Sequence, residues 1–290
     1  MLQYNYISYR EGKFMSQIQQ PLRMRLFVPP SFEGVTSVAI LEEIINDHID
    51  LEVIYTPVLD FRDFEKFKDS EIIIVLGLGY RGYALPDDFF LTVNVPFMDF
   101  IHISTYGEAI KGDHIVSIVN TEVDPIKELY HILQYNPDST VLSKYITLTD
   151  KAGYLVEAVN SYRNWTWENN DTVRMLLALY YASYKRLPKL IKGLSLKEIV
   201  KQHAPIIKGQ LEKMKDYIER KRAMVKEYHI NIEGENCLLK VVYAEEYINE
   251  LANDLLHHNT TPMPVIVCVG RTTKGSDIFS VRTKMVHAGK

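Results

Sequence analysis

The chain has 290 residues, of which 47% are hydrophobic and 24% charged, so it can bury a sizeable core and has room for two domains. No apolar run approaches the roughly 18 residues that span a bilayer, and the N-terminal stretch lacks the features of a secretory signal peptide. Two cysteines, Cys237 and Cys268, are too few for a disulfide framework or a metal cluster. Composition therefore predicts a cytoplasmic protein, acidic overall at a net charge of −4, with reduced cysteines and no membrane partner.

The first predicted unit is a strand followed by a tight loop and a helix. Apolar β-forming residues at Leu26–Val28 predict the strand, and a run rich in Pro, Ser and Gly ends it before the helix opens at Gly34. From Val35 to Ile45 apolar residues recur at helical spacing. Because the N–H groups at the start of a helix carry partial positive charge, those around Val35 and Thr36 favour an anion or a phosphate.

Two interpretations of this helix start are open. In the first, Gly34, Thr36 and Ser37 line an anion pocket, and a side chain at position 34 would crowd the approach or require a strained dihedral angle. In the second, Ser31 and Glu33 only cap the first turn of the helix. The residue types favour the capping interpretation.

Strands and helices then alternate as far as residue 133. The predicted strands are Leu51–Tyr55, Glu71–Leu76, Val93–Met98 and His114–Val119, and the predicted helices are Phe61–Phe67 and Asp124–Leu133. Asp124 is the expected N-cap of the second helix, with Pro125 in its first turn. The apolar run at 71–76 is typical of a strand buried on both faces. The alternation predicts an α/β fold with a doubly wound parallel sheet.

The second half of the chain is first helical and then returns to a β-pattern. Helices are expected over 151–226, with breaks near Pro188, Gly193 and Pro205. Beyond them the predicted elements are strands at Cys237–Tyr243, Pro264–Val269 and Phe279–Arg282 and a helix at Glu245–His258. These patterns predict an extension at 1–20, a larger α/β domain at 21–180, a helical connector at 181–227 and a smaller α/β domain at 228–290.

The predicted connector is strongly basic. Residues 185–226 contain thirteen Lys or Arg against four Asp or Glu, so the rest of the chain carries a net charge of −13. A basic helical segment on an acidic protein can track a phosphate backbone, with Lys213, Lys215, Lys221 and Arg222 as candidate contacts. A solvated helix surface explains the same composition, because the lysines are spread over several helical faces. The sequence leaves both interpretations open.

Two local motifs resemble the DHH/DHHA1 phosphoesterase family. The segment Phe32–Ile40 contains Gly-Val-Thr-Ser, which is similar to the helix after the family's first metal-binding loop. Ser280–Thr283 (SVRT) resembles the arginine strand of its accessory domain, and weaker matches run in order over most of 25–290. The resemblance implies a DHH domain joined to a DHHA1 domain, as in RecJ-like and oligoribonuclease-like proteins. It also implies a two-manganese site that cleaves phosphodiesters, and an anion-binding role for Arg282.

The family's metal-binding motifs are largely lost in this chain. Motif one keeps Glu33 but lacks its His and first Asp, and motif two reads Leu-Gly-Leu-Gly at 76–79. The nearest match to motif three is Asp99 with His102, although both are more simply expected to be loop residues. Motif four has Asn164 in place of Asp. The printed sequence ends before the family's C-terminal glycine loop. A two-metal site needs several anionic or imidazole ligands, so neither a metal site nor a cofactor is expected.

These losses predict a degenerate relative that binds a nucleotide, a single-stranded nucleic acid or a protein partner and does not hydrolyse a phosphodiester. In this hypothesis a phosphorylated ligand contacts both the helix start at Gly34 and Arg282. The first alternative is a manganese-dependent phosphodiesterase acting on short oligonucleotides or cyclic dinucleotides, with Glu33, Asp99 and His102 as substitute catalytic residues. The second alternative is a protein-interaction or inhibitor module. A homodimer is compatible with each reading.

Overall fold

A computed structural model describes residues 21–60, 67, 70–80, 99–111, 115–167, 169–232, 234–258, 261–273 and 275–283. The predicted extension at 1–20, the predicted strand Val93–Met98 and all but the last residue of the predicted helix Phe61–Phe67 lie outside these ranges. The chain divides into two compact units, Met1–Ala204 and Pro205–Lys290. Each unit has its own sheet.

The first unit is built on a parallel five-stranded sheet. Its strands are β1 (Leu22–Val28), β2 (Ile49–Tyr55), β3 (Ile72–Leu76), β4 (Asp99–Ser104) and β5 (Ile115–Val119). Their order is β2-β1-β3-β4-β5, and every neighbouring pair is parallel. The central strand β3 is buried along its whole length, as its unbroken apolar run predicts. The prediction of a doubly wound parallel sheet is confirmed.

Helices cover this sheet. They are α1 (Phe32–Ile44), α2 (Pro125–Tyr135), α3 (Asp150–Arg163), α4 (Asp171–Ser183) and α5 (Leu187–Ile191), with 3-10 turns at Pro137–Ser139, Val141–Tyr145 and Tyr184–Arg186. Helix α1 packs against β1 and against α3, α4 and α5, so it is buried on nearly all sides. Its polar residues Thr36 and Ser37 are therefore buried together with its apolar ones.

Local signals in the sequence located the helix starts well. Asp124 caps α2 by accepting the Ile126 N–H, as predicted. Helix α1 begins at Phe32 rather than at Gly34, because the Ser31 hydroxyl accepts the Gly34 N–H and so caps the helix two residues earlier. The expectation of a loop at Asp99 and His102 is wrong, since both lie in β4.

The second unit is built on a mixed four-stranded sheet. Its strands are β6 (Lys226–Ile232), β7 (Glu235–Tyr243), β8 (Val265–Thr273) and β9 (Ser276–Thr283), and its helix α7 is Ile248–His257. The order is β6-β7-β8-β9, with β7 and β8 parallel and the outer pairs antiparallel. Helix α7 packs on β8 and β9.

One long helix, α6 (Leu196–Arg222), crosses the division between the units. The predicted break at Pro205 is wrong, because this proline lies inside α6. A proline in a helix interior costs about 3 kcal/mol, and helical residues on both sides of Pro205 continue the helix despite this cost. Cys237 and Cys268 are both free. None of the described helices has the length and apolar character needed to cross a membrane.

Candidate functional site at the carboxyl edge of the sheet

The carboxyl ends of the five parallel strands meet at one edge of the first unit's sheet. In open α/β sheets, ligands bind at this edge, where the strand order reverses. The reversal lies between β1 and β3, and its neighbouring loops begin at Pro29 and Gly77. Gly77 has a φ of 73°, and a side chain on it would start 3.4 Å from the Pro29 ring. Pro29 therefore packs directly at the reversal point.

The start of α1 is closed by its own hydrogen bonds. The Val35 N–H donates to the Ser31 carbonyl at 3.0 Å, and the Ser37 hydroxyl donates to the Glu33 carbonyl at 2.7 Å. The expectation that the Val35 N–H faces a ligand is therefore wrong. Gly34 is required for space, because a Cβ there would overlap the carbonyl oxygen of Pro29. Its backbone is helical, so the alternative of a strained dihedral angle does not apply.

His102 is a buried residue of the sheet. Its Nε2 lies 2.9 Å from the Leu78 carbonyl oxygen, and its Nδ1 lies 2.9 Å from the Ser117 hydroxyl. The Ile110 N–H donates to the same hydroxyl. A consistent assignment has Nε2–H donating to Leu78 and Nδ1 accepting from Ser117. Burial lowers the pKa of His102, which favours this neutral ring with both nitrogens engaged.

Asp99 lies at the opposite edge of the sheet. It is the first residue of β4, paired with Ile72 at the start of β3. Its carboxylate accepts the Leu142 N–H at 2.7 Å, and burial raises its pKa despite this bond. Asp99, Ser143 and Lys144 line a cavity of about 620 Å³ at this amino edge. Glu33 follows the carboxyl end of β1, so Glu33, Asp99 and His102 do not form one site.

Asp124 is the acidic residue at the carboxyl edge that sequence patterns did not identify as special. Its side chain is 1% exposed, and one carboxylate oxygen has no hydrogen-bond partner. Burial, followed by the nearby charge of Glu33, raises its pKa to about 7, while the Ile126 N–H and Arg163 act in the opposite direction. The Asp124 N–H donates to the side-chain oxygen of Asn160. The capping signal predicted the position of Asp124, whereas its burial depends on residues distant in the chain.

A solved structure of a DHH-domain protein shares this arrangement of strands and helices. A DHH-domain protein described as a member of the S1p family of ribosomal proteins superposes with a TM-score of 0.56 at 12% identity, over 92% of this chain and 74% of that one. The chain has the DHH-domain fold. RecJ from Thermus thermophilus, solved in complex with Mn²⁺, gives a TM-score of 0.48 at 11% identity, over 89% of this chain and 45% of that one. At the level of sequence, no family model and no curated protein matches.

The fold relationship to DHH/DHHA1 proteins predicted from the two motifs is thereby confirmed. A shared fold does not by itself imply a shared activity. At the positions where the resemblance places the family's metal motifs, this chain has the uncharged residues Ser31 and Gly77, which follow β1 and β3, and Asn164, which follows α3. Within the described ranges, no group of three His, Cys, Asp or Glu side chains could hold a metal ion. The residues that the structure describes at this edge do not fit a two-manganese site.

The four basic candidates on α6 already have acidic partners. Lys213 pairs with Glu246 at 3.0 Å, Lys221 with Glu245 at 2.8 Å and Lys215 with Glu219 at 3.8 Å, and the Arg222 guanidinium binds Asp254 through two nitrogens. The hydrogen bond from Lys221, and after it the one from Tyr217, lowers the pKa of Glu245 to about 2. Phosphate contacts at these positions would have to compete with the ion pairs.

Arg282 lies on β9, on the face of the sheet that carries α7. Its guanidinium donates to the Asn249 side-chain oxygen at 3.3 Å and to the Val281 carbonyl at 2.9 Å. The side chain is half-buried and keeps access to solvent. Because a guanidinium presents several N–H donors in a planar fork, such a side chain is suited to a phosphate or a carboxylate.

Proposed function

We propose that this chain is a catalytically degenerate DHH-fold protein that binds a nucleotide or a single-stranded nucleic acid without hydrolysing it. The observation that carries the proposal is the set of uncharged residues that the resemblance places at the family's metal positions, Ser31, Gly77 and Asn164. Activation of water by two metal ions requires several charged or imidazole ligands at this edge. Binding of a phosphorylated ligand requires only hydrogen-bond donors and positively charged side chains. Arg282 is the proposed contact to the phosphate.

The active-enzyme alternative receives less support from the geometry. Asp99 lies at the amino edge, and both ring nitrogens of His102 are engaged within the sheet. Glu33 and Asp124 are carboxyl groups at the carboxyl edge, but Asp124 has a pKa raised to about 7. A carboxyl group that is substantially protonated near neutral pH is a poor metal ligand.

A protein-interaction module is the second candidate. The face of the second sheet opposite Arg282 carries exposed apolar side chains, with Tyr243 47%, Phe279 49% and Val281 39% exposed. The rings of Tyr243 and Phe279 lie 5.9 Å apart and form one aromatic patch. An exposed patch of this kind is a feature of protein-binding surfaces, and it is also compatible with a homodimer.

A hydrolysis assay tests the proposal. Short DNA and RNA oligonucleotides, cyclic dinucleotides and a chromogenic phosphodiester are incubated with the purified chain and Mn²⁺. We expect no turnover that a chelator removes. Chelator-sensitive turnover that Glu33→Ala or Asp124→Ala abolishes would instead establish the phosphodiesterase. A cytoplasmic location remains part of the proposal, supported by the two free cysteines.

A further inference from the structure

A continuous row of aromatic rings lies beside the carboxyl edge of the first sheet. Tyr55 ends β2, and its ring centroid lies 6.4 Å from that of Tyr184. The Tyr184 ring contacts Tyr180 at 5.6 Å, and Tyr180 contacts Phe32 at the start of α1 at 5.7 Å. Phe32 at one end of the row is buried, whereas Tyr184, which lies between Tyr180 and Tyr55, is 37% exposed. The row thus supports one tyrosine ring that is partly open to ligands.

Positively charged side chains lie beside the exposed Tyr184 ring of this row, and Glu42 lies near Tyr55. The Lys185 ammonium lies 4.6 Å from the centre of the Tyr55 ring and 5.7 Å from that of Tyr184. Lys185, Arg186 and Lys189 are exposed, and within the described ranges the structure gives none of them a carboxylate partner. The basic surplus seen in the sequence is therefore neutralised at the four candidate positions on α6 but not beside Tyr184.

The backbone of Tyr184 provides an independent observation. Its φ of 41° and ψ of −116° match the first central residue of a type II′ turn, a position that glycine normally occupies. A tyrosine in this conformation is strained, and such strain is found where a side chain serves a function. A glycine would fit this backbone without strain but would remove the exposed ring. The choice of tyrosine therefore points to a use for the ring.

From these observations we infer that a single-stranded polynucleotide binds here, with a base stacked on Tyr184 and phosphates on Lys185 and Arg186. Aromatic rings bind unpaired bases by stacking, and adjacent cations follow the backbone. A duplex offers no free base faces to an exposed ring. This inference rests on the proposed function and names its ligand class and a binding surface on the first unit.

The test titrates labelled oligothymidylate and oligouridylate with the full chain in the presence of a chelator, and binding is measured by fluorescence anisotropy. Tyr184→Gly should weaken binding about 5- to 150-fold, the range for loss of one stacked base, while raising the melting temperature by removing strain. Tyr184→Phe keeps the ring and should bind like the natural chain. Lys185→Glu with Arg186→Glu should weaken binding and lower the salt slope by about 1.4.

The matched control is Lys208→Glu with Lys215→Glu, which makes the same charge change at exposed positions of α6. We expect it to leave the salt slope unchanged. The inference would be overturned if Tyr184→Gly and the Lys185→Glu, Arg186→Glu double variant bind like the natural chain. It would also be overturned if the natural chain binds no single strand at low salt. Equal binding of an abasic strand would also overturn it, because the surface would then be purely electrostatic and open to an acidic protein. Nucleotide binding without hydrolysis could still hold in each case, so the two proposals fail separately.

Discussion

The buried carboxyl group of Asp124 makes a prediction about stability and pH. Its pKa is 3.8 for an ordinary aspartate and about 7 in the folded chain. Because the folded-state pKa is the higher one, the group stabilises the fold fully below about pH 4, and this contribution is lost as the pH rises through about 7. The full pKa difference corresponds to about 4 kcal/mol in the free energy of unfolding. About 2.5 kcal/mol of this is lost between pH 5 and pH 8.

Asp124→Asn isolates this contribution. Asparagine caps a helix as well as aspartate but does not titrate, so the variant loses the pH dependence and keeps the cap. The free energy of unfolding of the variant, measured relative to that of the natural chain, should therefore rise by about 2.5 kcal/mol from pH 5 to pH 8. The control is Asp150→Asn, which removes an exposed acidic group from the first turn of α3.

Urea unfolding followed by tryptophan fluorescence provides the readout. The chain has two tryptophans, Trp165 and Trp167, and both belong to the first unit, so the signal reports the unit that contains Asp124. A stability difference between Asp124→Asn and the natural chain that stays constant from pH 5 to pH 8 would refute the reasoning. The carboxyl would then be solvated or paired in a way that the described geometry excludes.

Two further substitutions test the anion-binding residues. Gly34→Ala places a methyl group against the Pro29 carbonyl and should destabilise the first unit by about 1–3 kcal/mol, whereas Gly153→Ala within α3 should be neutral or stabilise by up to about 1 kcal/mol. Equal effects in urea unfolding would contradict the close approach at Gly34. Arg282→Ala should weaken nucleotide binding by about 1.5–3 kcal/mol in calorimetry and change stability by less than about 1 kcal/mol. Unchanged affinity would remove Arg282 from the site.

Local patterns in the sequence were sufficient for much of the fold. The apolar run at 71–76 became the central strand β3, and the caps Ser31 and Asp124 were read from residue type and position alone. Such signals act within a few residues, so a single sequence carries them. The pattern at 279–282 likewise predicts the arginine strand, which the structure places at Ser276–Thr283.

The errors concern polar residues whose partners are distant in the chain. Asp99 and His102 suggested a loop because buried strands rarely carry such residues, yet Leu142 and Ser117 satisfy them within the fold. Helix α6 is a different case, because its basic composition leaves a phosphate-binding face and a solvated surface both open. Its partners, such as Glu245, lie beyond the helix and reveal the ion pairs only once the second unit is folded.

The central claim is binding without cleavage, and one experiment measures both on the same sample. A labelled single strand is titrated with the chain in Mn²⁺ and in a chelator, the anisotropy is recorded, and each sample is then resolved on a denaturing gel. We expect the same affinity in both conditions and a strand of full length throughout. A strand that shortens in Mn²⁺ and stays intact in the chelator would contradict the central claim.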